Sequence, residues 1–270
     1  METKKVVKLA LLQAELVWGS VTENLLKFEQ KIEACQGADL IILPEMFSCG
    51  SMLVRRPYEQ VLAEKNEVAG RFDEIRQRML QWSKQVQAVV LGSTVYAAED
   101  LYYNRMIIAF PDGQCQYYDK RHCFRMGGEN EHFSSGGRRV VFDYAGAKIA
   151  VFICYDLRFP VWCRNVAGYD IAVYIANWPA ARREVWQMLL KARSIENQAY
   201  VAGVNCVGTD LNGIVYAGDS MGVNARGEVM KQAPAFQEAT LWLECDRGVL
   251  QDFRHKFAVL EDRDSFVVEI

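Results

Sequence analysis

The stretch VFICYDLRFP, residues 151–160, is an apolar run that ends on Cys154 and turns at once into Tyr-Asp-Leu-Arg before Pro160. Such a short, uninterrupted run reads as a strand, and RRVVFDY ahead of it, joined through Ala145-Gly146, predicts a hairpin. After Cys154 a short helical stretch leads to YDIAVYIAN, a further strand. The cysteine thus stands where strand gives way to loop. There it is either core filling, common for free cysteine, or a nucleophile held at a strand end.

The same two periods alternate outward in both directions. VVKLALLQ, residues 6–13, is a short apolar run. SVTENLLKFEQKIEAC offers a capping box, Ser20 with Glu23, ahead of apolar residues at 25, 28 and 32, which predicts an exposed helix ending at Cys35. ADLIILPE, residues 38–45, is apolar nearly throughout, as in a strand covered on both faces. RFDEIRQRMLQWSKQV places Phe72, Ile75, Met79, Trp82 and Val86 on one helical stripe, and a strand follows at AVVLGSTVYA. YYNRMIIAF, PDG and QCQYYDK form a hairpin with its turn. REVWQMLLKARSIENQ predicts a helix with Val185, Leu189, Ala192 and Ile195 inward; AYVAGVNCVG, a hairpin around Ala225-Arg226-Gly227 and ATLWLEC complete the strands.

Strands outnumber helices, both occur throughout, and no low-complexity linker divides the chain, so residues 1–270 read as one α/β domain with mixed sheets. No internal repeat is visible. Hydrophobic residues make up 51% and charged residues 24%, as in a globular protein, and a chain of 270 residues buries roughly three quarters of its unfolded surface. A net charge of −3 leaves no basic stripe for nucleic acid. The amino-terminal METKKVVKLALLQA imitates a signal peptide, but Lys8 and Gln13 interrupt it and no clean cleavage site follows. No segment approaches the roughly 18 apolar residues of a membrane span. Eight cysteines without a C-x-x-C pair or an export signal predict free thiols in the cytoplasm. Neither G-x-G-x-x-G nor G-x-x-x-x-G-K occurs, so dinucleotide and P-loop chemistry are not expected.

Charged or reactive residues at the ends of apolar strands are costly unless they are used. LIILPE ends in Glu45, QYYDK in Lys120 and AVFIC in Cys154. Each alone is ordinary: a solvated glutamate, a surface lysine, a packed cysteine. Together they supply what a cysteine hydrolase needs. A thiol with a pKa of about 8.5 requires a base or nearby cation, which Glu45 and Lys120 provide. The tetrahedral oxyanion requires donors, for which Lys120 and the backbone amide of Tyr155 are candidates. His122 offers a second, papain-like pairing with Cys154, but without that family's cysteine signature.

LPEMF around Glu45, YDKRH around Lys120 and CYDLRFP around Cys154, in that order, resemble the Glu-Lys-Cys triad of the nitrilase superfamily of carbon–nitrogen hydrolases, and the similarity covers almost the whole chain. GENEHFSSG resembles the segment carrying a second active-site glutamate, seven residues before its glycine, which falls on Glu129, with Glu131 as the competing choice. ANWPAARREVW, ARSIENQAYV and YAGDSMGVNARGEV set Trp178, Arg193 and Ser220 in familiar surroundings. ANWPAAR and CYDLRFPVW are most similar to the ω-amidase branch, which hydrolyses terminal amides of α-keto acids such as α-ketoglutaramate and α-ketosuccinamate. One departure stands in KRHCFRMGGE, where Cys123 replaces an expected leucine.

The resemblance implies an α-β-β-α four-layer sandwich that pairs as a homodimer, with the 185–199 helix and the C-terminal tail as dimer surfaces. It implies a thioester mechanism with Cys154 as nucleophile, Glu45 as base and Glu129 keeping Lys120 in register, with no metal or organic cofactor. A keto-acid carboxylate asks for a cationic anchor: Arg182 is the candidate, Arg125 and Arg158 its rivals, with Trp178 and Phe124 as pocket walls. The alternatives are an N-carbamoyl or other aliphatic amide hydrolase of the same superfamily and a non-catalytic binding protein of the same fold.

Overall fold

The computed structural model describes residues 4–50 and 58–269. Strand β1 (Val6–Gln13) leads into helix α1 (Val21–Glu33), and β2 (Leu40–Ile42) into helices α2 (Tyr58–Gly70) and α3 (Phe72–Val86). Strands β3 (Val89–Ala98), β4 (Leu101–Ala109) and β5 (Cys115–Asp119) close the first half, followed by the short helix α4 (Glu129–His132). The second half runs β6 (Val141–Tyr144), β7 (Ala147–Ile153), α5 (Pro160–Cys163), β8 (Ile171–Ala176), α6 (Arg183–Asn197) and β9 (Tyr200–Asn205). It ends with β10 (Val207–Thr209), β11 (Val215–Ala217), β12 (Met221–Val223), β13 (Val229–Gln232), β14 (Ala239–Asp246) and α7 (Arg247–Lys256).

Two six-stranded sheets result, ordered β14-β1-β2-β3-β4-β5 and β13-β12-β9-β8-β7-β6. In each, three central strands are parallel (β1, β2, β3 and β7, β8, β9) and the outer pairings are antiparallel. The mixed sheets expected from the sequence are present. So is a near-repetition of topology between the halves, which the sequence does not show because strand order constrains the apolar pattern and not its letters.

The pleat explains why the strands are apolar on both faces. Leu9, Leu11, Leu40, Ile42, Val89 and Leu91 point into the core shared by the two sheets. Their neighbours Ala10, Leu12, Ile41, Leu43 and Val90 pack beneath α1 and α3 against Phe28, Ile32, Met79 and Trp82. Helix α6 covers the second sheet, where a Cβ at Gly203 would meet Leu190 at 2.4 Å. The layers are therefore helix, sheet, sheet, helix, as expected.

Local differences are informative. Ser20 caps α1 by accepting from the Glu23 amide, but its own N–H goes to Val17, so the reciprocal half of the box is absent. Cys35 does not end an exposed helix: it lies two residues past α1 and is 0% exposed, turned under the sheet. The inward face of α6 is Trp186, Leu190, Arg193, Ser194 and Asn197 rather than the Val185–Ile195 stripe. Polar members of that face are anchored, Arg193 to the Leu157 carbonyl (2.6 Å) and Asn197 to the Asn165 amide (2.8 Å). Apolar periodicity cannot see hydrogen bonds, and it turned the helix by one position. Helices α2 and α7 were not expected. The first buries only Val61, Lys65 and Val68, and the second is set by its Asp246 cap, which accepts from Gly248 and Val249.

Candidate active site

Three chain segments meet at the same ends of the two sheets. Glu45 follows β2, Lys120 follows β5 and Cys154 follows β7. All lie at carboxyl ends of strands, where the chain leaves the sheet and side chains converge. Gly136 brings the segment after α4 against β5: its N–H donates to the Lys120 carbonyl (2.8 Å), and a Cβ there would sit 2.2 Å from the Asp119 carbonyl oxygen.

Lys120 Nζ lies 2.9 Å from Glu45 Oε1 and 2.8 Å from both carboxylate oxygens of Glu129. All three groups are buried. Burial disfavours the ammonium, but Glu129 and Glu45 outweigh it and hold Lys120 well above the ordinary lysine range. Burial likewise raises Glu129, with Lys120 opposing and Glu45 adding to the rise. Glu129 also accepts the Phe124 amide (2.6 Å), so it fixes the loop that carries that ring. It is Glu129 and not Glu131 that reaches Lys120; Glu131 is exposed at the cavity wall.

Glu45 is oriented by two further donors. Asn104 Nδ2 donates to Oε1 and the Asn177 N–H donates to Oε2, both at 2.8 Å. Burial, then the Glu45 charge, push the Cys154 thiol well above the usual range, with Lys120 opposing. The resting sulfur is therefore a thiol held near the Glu45 carboxylate. Cys154 has φ +46°, a left-handed conformation costly for a residue with a Cβ. It opens a 3₁₀ turn, Cys154–Arg158, whose leading amides, Tyr155 among them, lack carbonyl partners within the turn.

The three residues border a cavity of about 930 Å³. Phe124, Tyr155, Trp178, Arg125, Arg158 and Arg182 also line it. Trp178 Nε1 donates to the Arg182 carbonyl (2.9 Å), Arg158 lies 5.1 Å from the Trp178 ring and Arg182 5.3 Å from the Phe124 ring. Among the described residues none of the three arginines forms an ion pair. Arg193 and Ser220 lie elsewhere: Arg193 holds Leu157, and Ser220 bridges Asn205 and Gln13. His122 turns to Asp156 (2.7 Å) and stacks on Phe159 at 3.6 Å, which engages it away from a dyad role. Cys123 is buried against Ser135 and the Phe133 carbonyl.

Several contributors escaped the sequence reading. Asn104 had one signal, an asparagine inside a strand, where that residue is depleted. Asp156 is fully buried and accepts from Ile153, Tyr118 and both the backbone and ring of His122. Asn177, Tyr58, His132 and Tyr216 line the cavity and gave no signal.

The carbon–nitrogen hydrolase family model matches residues 8–255. The chain is 42% identical to ω-amidase YafV of Escherichia coli, over 96% of this chain and 98% of that one. It is 32% identical to 2-oxoglutaramate amidase of Bacillus subtilis, over 94% and 96%. Its structure is similar to that of a CN-hydrolase superfamily protein of Xanthomonas campestris with an arsenic adduct in its active site: TM-score 0.91, 33% identity, coverage 98% and 99%.

Proposed function

Because the chain belongs to the carbon–nitrogen hydrolase family, we propose that it releases ammonia from the terminal amides of α-keto acids, α-ketoglutaramate and α-ketosuccinamate, through a thioester on Cys154. It is a hydrolase of non-peptide carbon–nitrogen bonds; the substrate class follows from its likeness to an ω-amidase and a 2-oxoglutaramate amidase. The observation that carries the reading is the buried Glu45–Lys120 ion pair sharing with the half-buried Cys154 a cavity bordered by three arginines without ion pairs among the described residues.

In the proposed reaction Cys154 Sγ attacks the amide carbon while Glu45 accepts the thiol proton. The tetrahedral oxyanion is held by Lys120 Nζ and the Tyr155 N–H. As the carbon–nitrogen bond breaks, Glu45 returns the proton to the nitrogen and ammonia leaves. Water then attacks the thioester with Glu45 as general base, the carbon–sulfur bond breaks, Glu45 returns that proton to the Cys154 sulfur, and the ω-carboxylate departs. Glu129 keeps Lys120 charged and in place. Arg182 anchors the keto-acid carboxylate at the far end, between the walls formed by Phe124 and Trp178.

The exposed apolar residues Met188 (68%) and Ile195 (54%) of α6, and Val267 on the tail, favour a homodimer. Residues 1–270 act as one catalytic domain. Among the described residues no helix is long and apolar enough to cross a membrane, and the eight free thiols suit the cytoplasm.

The test is ammonia release from α-ketoglutaramate, α-ketosuccinamate, glutamine and a simple nitrile by the native protein and Cys154→Ala. Release from the keto-acid amides, lost in the variant, supports the reading. Release from glutamine or the nitrile alone, or from an N-carbamoyl amino acid added as a fifth substrate, would move the enzyme to another branch of the family, and release from none would favour a binding protein.

A further inference from the structure

Asn177 follows β8 directly, is 7% exposed and borders the cavity beside Glu45 and Cys154. Its N–H is committed to Glu45 Oε2. Its carboxamide is not: neither Oδ1 nor Nδ2 has a hydrogen-bond partner among the described residues. Leaving a buried polar group unpaired is costly, and among the described residues Asn177 is the one buried asparagine whose carboxamide is unpaired at both ends. Among the described residues every other buried asparagine uses at least its Nδ2: Asn104 donates to Glu45 while its Oδ1 is unpaired, and Asn197 donates to the Arg193 carbonyl. Asn24 Nδ2 donates to the Val17, Ser20 and Ser48 carbonyls, Asn165 Nδ2 to Tyr169 and Asn197, and Asn205 Nδ2 to Trp178 and Gly218.

We propose that the Asn177 carboxamide reads the scissile group itself, pairing edge to edge with a primary amide. Oδ1 accepts the substrate N–H that lies on the same side as the carbonyl oxygen, and Nδ2 donates to that oxygen, sharing it with Lys120 and the Tyr155 amide. A primary amide is complementary to both free ends of Asn177. An ester has no N–H to give, and an N-methyl amide in its preferred geometry puts the methyl group where the N–H should be. The pocket therefore selects primary amides by their leaving group as well as by the acid behind it. This inference rests on the amide-hydrolase reading of the site, and goes beyond it by assigning the residue that recognises the nitrogen.

The experiment measures kcat/KM for two pairs, α-ketosuccinamate with its ω-methyl ester and succinamate with monomethyl succinate, in native protein, Asn177→Leu and Asn177→Ala. Two neutral hydrogen bonds at about 0.5–1.5 kcal/mol each correspond to a loss of roughly 10- to 100-fold on the amide. Turnover of the paired ester is expected to fall by less, roughly 3- to 10-fold, because the ester loses only the bond to the carbonyl oxygen while the amide loses both. Leucine keeps the volume; if it does not fold, alanine gives the same ratio. Amide and ester falling by one common factor would mean that Asn177 only positions Glu45, and unchanged amide turnover would remove it from recognition; either result overturns the proposal. Native protein that turns over only the succinamate pair would refute the keto-acid reading while still deciding the role of Asn177. Native protein inert on both pairs would overturn the two together.

Discussion

The Tyr118 hydroxyl, two residues before Lys120, donates at 2.7 Å to the carboxylate of Asp156, two residues after Cys154. The bond spans the two sheets and is fully buried. It ties the strand end that delivers the cation to the turn that delivers the sulfur. Trp162 Nε1 donates in turn to the Tyr118 oxygen (3.0 Å). Removing the hydroxyl leaves Asp156 one donor short and strands the Trp162 N–H. Tyr118→Phe should therefore lower stability by about 2–4 kcal/mol in denaturant unfolding and lower kcat more than it raises KM. A variant as stable as native protein would show the bridge to be dispensable.

Cys154 sits at φ +46°, where a Cβ is unwelcome and glycine is at ease. Cys154→Gly and Cys154→Ala should both abolish ammonia release. The glycine variant should nevertheless be the more stable of the two by about 1 kcal/mol, since only it relieves the backbone. Equal unfolding midpoints would show that the turn stores no strain.

The Lys120 ammonium lies between two buried carboxylates. Lys120→Met removes the cation and leaves both anions facing each other, so a loss of about 3–5 kcal/mol is expected, with activity down at least about 100-fold. In Lys120→Met/Glu129→Gln one charge is gone, and stability should recover in part while activity does not. If the second change fails to restore stability, the repulsion argument is wrong.

Alkaline pH should loosen the fold. Burial raises Cys35 from 9.0 to about 11 and Cys49 to about 12, and raises Cys154 well above its ordinary value. A raised folded-state pKa means that the folded chain keeps a proton the unfolded chain has released. That stability is complete below pH 9 and is lost as pH climbs through the folded values, at about 1.4 kcal/mol per unit for each group. Thermal melts from pH 8 to 11 should show Tm flat at first and falling beyond pH 9. A Tm that rises over this range would contradict the assignment.

Replacing the three cavity arginines one at a time locates the carboxylate anchor. Arg182→Ala should raise KM for α-ketoglutaramate roughly 10- to 100-fold with kcat within about 3-fold, as expected for a group that binds ground and transition states alike. A KM effect concentrated at Arg125 or Arg158 would reassign the role.

Strand ends and their chemistry were open to reading along the chain because strand period and residue type are local properties. Glu45, Lys120 and Cys154 each terminate an apolar run, and those runs are β2, β5 and β7. The α6 face was misjudged because Arg193, Ser194 and Asn197 are buried through hydrogen bonds, which apolar spacing does not register. Cys35 was placed in solvent because nothing local says that the chain turns it beneath a sheet.

By itself the sequence determined the mixed α/β architecture and the three side chains whose chemistry belongs together, since both follow from short-range patterns and intrinsic reactivity. Tertiary structure alone decided the distances. It set Glu129 rather than Glu131 against Lys120, buried Asp156 beneath four donors, and left the buried Asn177 carboxamide without a partner among the described residues, in a residue that borders the cavity. The reason is that hydrogen-bond satisfaction and burial are properties of residues far apart in sequence and adjacent in space, as Glu45 and Asn177 are at a separation of 132 positions.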